Sequence, residues 1–373
     1  MKIDNALSST LKRLALYAQR TIGDGISNGT IKPEDERFFR EKVEKFKYTD
    51  EGVTEFSIHG DYVTKPSWFR VAPRLTDSIE KSDEYSSALA QLTTVFGKSD
   101  MLANASRHFV GKLVHEYLHS SKFGEADIDS LIGVFLKDLR GEPVKYGAVV
   151  EIEGIVLRPD RVEPSYGVTL RRPKIEDLEE ESPTFMYPFF PRFRPTPSAI
   201  LTIEFLGREA QETQKKIEHS IALLRLFKSG SVKSTRYRMY SDSITDLMAH
   251  GVITSHRIEA TLEKYLITEE DVSKLKKFWQ TISEVMPPSF FELGLARIDH
   301  LTVAYNRYND ALFQDGVFER RVANAVMGLE ALFLKSGETH ELAYRLSLRT
   351  SKLLSSIGFD PHQVREIVSD AYK

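Results

Sequence analysis

The stretch that decides the reading is 317-VFERRVANAVMGLEALFLKSGETHELAYRLSLRTSKLLSSIGFDPHQVREIVSDAYK-373. Phe318, Val322, Ala325, Val326, Leu329, Leu332 and Phe333 recur at spacings of three and four, which predicts one apolar helical face. Gly337 supplies a stop. A second helix is expected from Thr339 to Ile357, with Leu342, Leu346, Leu353 and Ile357 inward and Gly358 just past its end. Asp360-Pro361 reads as a helix start, a capping side chain followed by proline at the first helical position. The third helix, with Val364, Ile367, Val368 and Ala371 inward, meets no stop signal before Lys373.

Working outward, Thr268-Glu269-Glu270-Asp271 opens another helix, with a capping side chain followed by acidic residues that suit the helix dipole. It reaches Val285, before Pro287-Pro288. A further helix from Leu295 to Phe313 presents Ile298, Leu301, Tyr305 and Tyr308. The five helices predict an up-and-down antiparallel bundle over 268–373.

The blocks ERRVANAVMGLEALFL (319–334), ELAYRLSLRTSKLL (341–354) and VREIVSDAYK (364–373) together resemble the Apea-like branch of the HEPN superfamily, small helical bundles of prokaryotic defence and stress proteins. The resemblance covers roughly the last hundred residues and rests on three blocks in order, each alone being a common helix pattern. It implies a metal-independent endoribonuclease with no cofactor, acting on RNA as a homodimer joined through the bundle. In the family, the block matching SDAYK is followed directly by an arginine and, a few residues on, a histidine. That pair falls beyond Lys373, so the stretch is expected to carry the scaffold of the site without its catalytic pair. The resemblance gives supporting roles to Glu330, at an acidic position facing the catalytic helix, and to Arg345 and Arg349, at basic positions of the following helix. By spacing alone, Arg345 and Arg349 share a face that could hold phosphate, while Glu341 and Arg345 form an i,i+4 ion pair. Glu330 by the same reading reaches a polar network or solvent. The family chemistry is attack of a ribose 2′-hydroxyl on the adjacent phosphate, assisted by histidine, with arginine stabilising the pentavalent charge.

Composition sets outer bounds. The chain has 373 residues, 41% hydrophobic and 28% charged, enough for two or three domains of an ordinary soluble protein. A net charge of -3 argues against a broad basic surface, so any RNA contact is local. Zero cysteines exclude disulfides, thiolate zinc sites and cysteine nucleophiles. With no signal peptide and no long apolar run, a cytoplasmic protein without a membrane span is expected.

The fold class expected is α+β, a mixed helical and β region preceding the HEPN-like bundle. Residues 1–143 read as mostly helical: a helix from Asn5 to Ile22, a charged one over Glu34–Phe46 opened by Pro33, and three from Ser82 to Arg140 separated by Gly97 and Gly124. A small hairpin is expected from Val53–Val63 and Trp68–Val71 around Gly60-Asp61. Within the middle one of those three helices lies HEYLH, His115 to His119. A helix puts His115 and His119 one turn apart, which suits zinc with Glu116 as base and Asp138 as third ligand. The alternative is an ordinary helix with both histidines hydrogen-bonded or solvated.

Residues 144–267 read as a sheet domain. Tyr146–Leu157 and Ser165–Arg171 predict a hairpin turning at Pro159-Asp160, followed by a strand at Ala199–Phe205, a helix at Glu209–Phe227 and a strand at Val232–Tyr240. Lys233, Arg236 and Arg238 on that last strand either meet phosphate or keep it soluble. In the loop 183-PTFMYPFFPRFRPTP-197, Arg192, Phe193 and Arg194 could take single-stranded RNA by stacking and phosphate contact. The same aromatics could instead pack over a sheet or a neighbouring subunit. No glycine-rich phosphate loop is present. The functional readings are thus a HEPN endoribonuclease or an inactive derivative, a zinc hydrolase built on HEYLH, and a non-catalytic interaction protein.

Overall fold

A computed structural model describes residues 2–120, 122–183, 197–230, 232–246, 251–254, 264–286, 290, 299–313, 318–335, 337–338, 340 and 341–372. Helices form the first layer: α1 (Lys2–Ser27), α2 (Val71–Glu80), α3 (Asp83–Phe96), α4 (Asp100–His119) and α5 (Glu125–Leu139). Ser82 and Ser99 cap α3 and α4, their hydroxyls accepting from the Tyr85 and Leu102 N–H groups at 3.1 Å. Leu7, Leu11, Leu14 and Ala18 are buried as the α1 period predicts, with Leu92, Phe109, Leu113 and Phe135 against them. The rings of Phe109 and Phe135 stack at 4.6 Å.

The expected charged helix at 34–46 is instead a strand. β1 (Glu34–Thr49) pairs antiparallel with β2 (Gly52–Ser67) in a hairpin turning at Asp50-Glu51, so Gly60-Asp61 lies mid-strand and Val71 begins α2. The reason is in the partner strand. Phe38 faces Val63, Phe39 faces Tyr62, Val43 faces Ile58 and Phe46 faces Phe56, pairs a lone amphipathic helix could not make. Arg40 adds a two-pronged bond to Asp61, at 3.1 and 2.7 Å.

The six-stranded sheet is antiparallel throughout. It comprises β3 (Val144–Glu153), β5 (Arg161–Ser165), β6 (Val168–Arg171), β8 (Ala199–Gly207), β9 (Lys233–Ser241) and β10 (Gly251–Thr254), in the order β10-β9-β3-β8-β6-β5. The expected hairpin between 146–157 and 165–171 is therefore corrected: β3 lies between β8 and β9, and β6 pairs with β5 across Tyr166-Gly167. Short β4 (Ile155–Leu157) runs parallel to β11 (Tyr265–Ile267). After the short helix α6 (Ile175–Leu178), β7 (Glu180–Pro183) adds to β1. Helix α7 (Ala210–Phe227) covers the sheet with Ile217, Ile221 and Leu224.

Helix α8 (Glu269–Val285) starts at Thr268 as expected, with the Asp271 carboxylate accepting from the Thr268 N–H at 2.8 Å and from Lys228 Nζ at 2.6 Å. It was expected as the first helix of the bundle, yet Leu275 and Trp279 enter the core of the sheet beside Ile217 and Val162. Helices α9 (His300–Phe313) and α10 (Phe318–Phe333) pack together so closely that a Cβ on Gly328 would sit 3.3 Å from Arg307 Cβ. The expected start at Leu295 and the inward Ile298 lie outside the described residues. Helices α11 (Leu342–Ser355) and α12 (Pro361–Asp370) share Leu346, Val364 and Val368.

The inward faces differ from the period. Helix α10 buries Asn324 and Gly328, leaving Phe318 and Leu332 exposed, and α11 buries Ser347, Thr350 and Ser351 while Leu353 faces outward. Ile357 and Ile367 are 68% and 61% exposed. Among the described residues, no helix is long and apolar enough to cross a membrane.

Gly167 turns the β5–β6 hairpin at φ +73°, and a Cβ there would lie 2.1 Å from the Glu204 carbonyl oxygen. Gly167→Ala is expected to destabilise the protein by about 1–3 kcal/mol in denaturant unfolding.

Candidate functional site

Three of the residues marked by the sequence gather on the C-terminal helices. Glu330, in the last turn but one of α10, accepts a hydrogen bond from the Tyr372 hydroxyl just past α12. Burial and the facing carboxylate push the Tyr372 phenol up to about 12. A stretch of 42 residues thus closes on one polar contact.

Arg345 and Arg349 share a face of α11, as their spacing requires. Both turn to Glu338, in the connection before the helix. Arg349 donates to its two oxygens at 2.7 Å each, and Arg345 donates at 3.3 Å. Arg349 also donates to the Phe333 carbonyl at 2.6 Å, closing the end of α10. The expected Glu341–Arg345 pair gives way to this arrangement, because Glu341 stands outside the helix in a left-handed conformation at φ 56°. Sequence reasoning missed Glu338. It is 11 positions from Arg349, a distance no helical period links, and only the turn at Gly337 hints at it.

The HEYLH segment has its predicted helical geometry. The imidazoles of His115 and His119 stack with centroids 4.2 Å apart and 18° between planes, and His119 Nδ1 lies 2.9 Å from the His115 carbonyl oxygen. They border a cleft of about 620 Å³ with Phe38, Lys65, Trp68 and Phe69. Desolvation, then the neighbouring His119 and Lys112, hold the His115 imidazole below its ordinary value, so His115 favours the neutral form. Glu116 pairs with Lys112 at 2.8 Å. Asp138 is turned elsewhere: its Oδ2 accepts from Ser243 Oγ at 3.0 Å and from the Ile244 and Thr245 N–H groups at 2.6 and 3.1 Å. The structure does not bring Asp138 to the histidines, and among the described residues no group of three His, Asp or Glu side chains is placed to hold a metal ion.

On β9, Lys233 lies 3.5 Å from Glu153 and Arg236 3.8 Å from Glu151, both within the sheet, while Arg238 is exposed. Two of the three basic side chains are therefore balanced by the neighbouring strand. Arg192, Phe193 and Arg194 lie outside the described residues. No family model, no curated protein and no solved structure matches the chain.

Two acid sensitivities follow. The paired arginines, Arg349 first, hold the Glu338 carboxyl at about 2, below its ordinary 4.5. A depressed folded value means that this contribution is full above pH 4.5 and lost as the pH falls toward 2. Glu338→Gln is expected to flatten the pH dependence of thermal unfolding in that window. For His115, the unfolded chain binds its proton more readily than the folded one. Stability therefore drops as the pH falls below 6.5, and His115→Gln should reduce the loss of melting temperature between pH 7.5 and 5.5.

Proposed function

We propose that residues 318–372 form a HEPN-like unit and that the protein is a cytoplasmic, RNA-directed homodimer of a prokaryotic defence or stress response, an endoribonuclease or an inactive derivative of one. The observation that carries this reading is the Tyr372–Glu330 contact. It ties the third block of the resemblance to the first, at the acidic position that the resemblance sets opposite the catalytic helix. A homodimer is supported by the exposed apolar side chains of α11 and α12. Tyr344, Leu348, Leu353 and Ile367 are between 44% and 61% exposed there, apolar surface that a second copy would cover.

In this reading Arg345 and Arg349 are positioning residues. With Glu338 between them they fix the α10–α11 connection, and RNA phosphate meets them only by displacing that carboxylate. The zinc hydrolase reading receives no support from the geometry, since Glu116 and Asp138 are both engaged away from a site between the histidines.

The test is RNA cleavage by the protein, in the length its own cells make, with excess chelator. Cleavage that persists in chelator and leaves 2′,3′-cyclic phosphate ends is expected of the nuclease; saturable RNA binding without cleavage is expected of the inactive derivative. The absence of both RNA binding and cleavage would overturn the reading. Light scattering should show a dimer, and Leu348→Asp with Ile367→Asp should weaken it by roughly tenfold or more.

A further inference from the structure

A cleft of about 860 Å³ opens between the β5–β6 turn, β8, α7 and α8, apart from the C-terminal helices. One wall is apolar, made by Val168, Ile203, Phe205 and Trp279. The rim is cationic. Lys216 reaches in from α7, and Lys276 and Lys277 come from the exposed side of α8. Lys216 Nζ lies 4.7 Å from the Phe205 ring centroid, and among the described residues none of the three lysines has an ion-pair partner.

Two carboxylates also border the cleft, with unequal effect. Glu204 accepts from Lys145 Nζ and Tyr240 Oη, each at 2.8 Å, so its charge is answered outside. Glu284, on the last turn of α8, is left as the one counter-charge against three lysines among the described lining residues. Deeper in, the Ser283 hydroxyl oxygen is buried without a hydrogen-bond partner. His219 meets the Trp279 indole edge-on at 6.4 Å, and burial lowers its imidazole to about 4, so the floor stays neutral at physiological pH.

Three unanswered ammonium groups beside an apolar wall, with an unpartnered hydroxyl in the same lining, suit a ligand that has an anionic end and a flat apolar part. The volume fits a small organic molecule. We propose that this cleft binds a small organic phosphate of nucleoside monophosphate type, its ring against Phe205, Ile203 and Val168 and its phosphate among Lys216, Lys276 and Lys277. The site is independent of the RNA reading, and its test uses no RNA.

The chain has two tryptophans, Trp68 and Trp279, so a Trp68→Phe variant leaves Trp279 in the cleft as sole reporter. Its fluorescence would be titrated with the four ribonucleoside 5′-monophosphates, with the unphosphorylated nucleosides and with inorganic phosphate. A saturable sub-millimolar response to at least one monophosphate is expected, with its nucleoside and inorganic phosphate each weaker by roughly tenfold or more. Lys276→Gln with Lys277→Gln, on an exposed helical surface, should weaken binding by a similar factor while circular dichroism is unchanged. No saturable response at millimolar monophosphate, or an unaltered response in the lysine variant, overturns the proposal. Equal affinity for inorganic phosphate overturns the ring contact.

Discussion

Strand β3 is the constraint on which the rest depends, because both of its edges are hydrogen-bonded. One runs in register with β8 from Val144–Gly207 to Ile152–Ala199, and the other runs along β9. Its alternate residues Ala148, Val150 and Ile152 enter the core under α7, while Glu151 on the opposite face meets Arg236, both buried. A buried pair of this kind stabilises only as a pair, since removing one partner strands the other charge. At the start of β3 the layers join. Asp138 of α5 holds the turn 243–245 just after β9, and Asp242 donates its N–H to the Lys145 carbonyl at 2.9 Å. The helical layer and the sheet are thus fixed to each other through two short stretches of chain.

Where local signals were sufficient, the sequence was legible. The apolar period of α1 and the acidic start at Thr268 are each set by residues a few positions apart, and each stands in the structure. What was not legible depends on a distant partner. The charges of 34–46 carry a helical spacing by themselves, and only pairing with β2 turns Phe38, Phe39 and Phe46 into a strand. Likewise a valine-rich strand such as β3 announces that it is a strand without naming its neighbours. Helix α8 has an apolar stripe that fits a bundle or a sheet equally well, and burial of Trp279 decides for the sheet. On α11 the hydroxyls of Ser347, Thr350 and Ser351 are inside because the helix lies close to its neighbours, where small side chains fit.

The same division holds for the candidate sites. Helical spacing correctly set His115 beside His119 and Arg345 beside Arg349, since one turn of a helix fixes both. It could not tell what faces them, and that determines their chemistry. Glu338 answers two arginines and Lys112 answers Glu116. Much of the charge of this chain is neutralised in such pairs, Arg171 with Asp177 and Arg40 with Asp61 among them. A net charge near zero is then a sum of local balances, and the cationic rim beside α8 stands out against it.

The β1–β2 hairpin also has a consequence for the order in which the chain assembles. Its tip rests on β4, where the Tyr48 hydroxyl oxygen accepts the Leu157 N–H at 2.8 Å across a separation of 109 residues. A hairpin forms in microseconds, but at synthesis speeds about 5–20 s separate the emergence of Tyr48 from that of Leu157. During that interval the edges of β1 and β2 have no β7 and no β4 to meet. The glutamates and lysines spread along β1 are what a waiting edge requires, because charged side chains discourage pairing with the wrong strand. The composition that made 34–46 look like a solvated helix serves, in the nascent chain, as protection against aggregation.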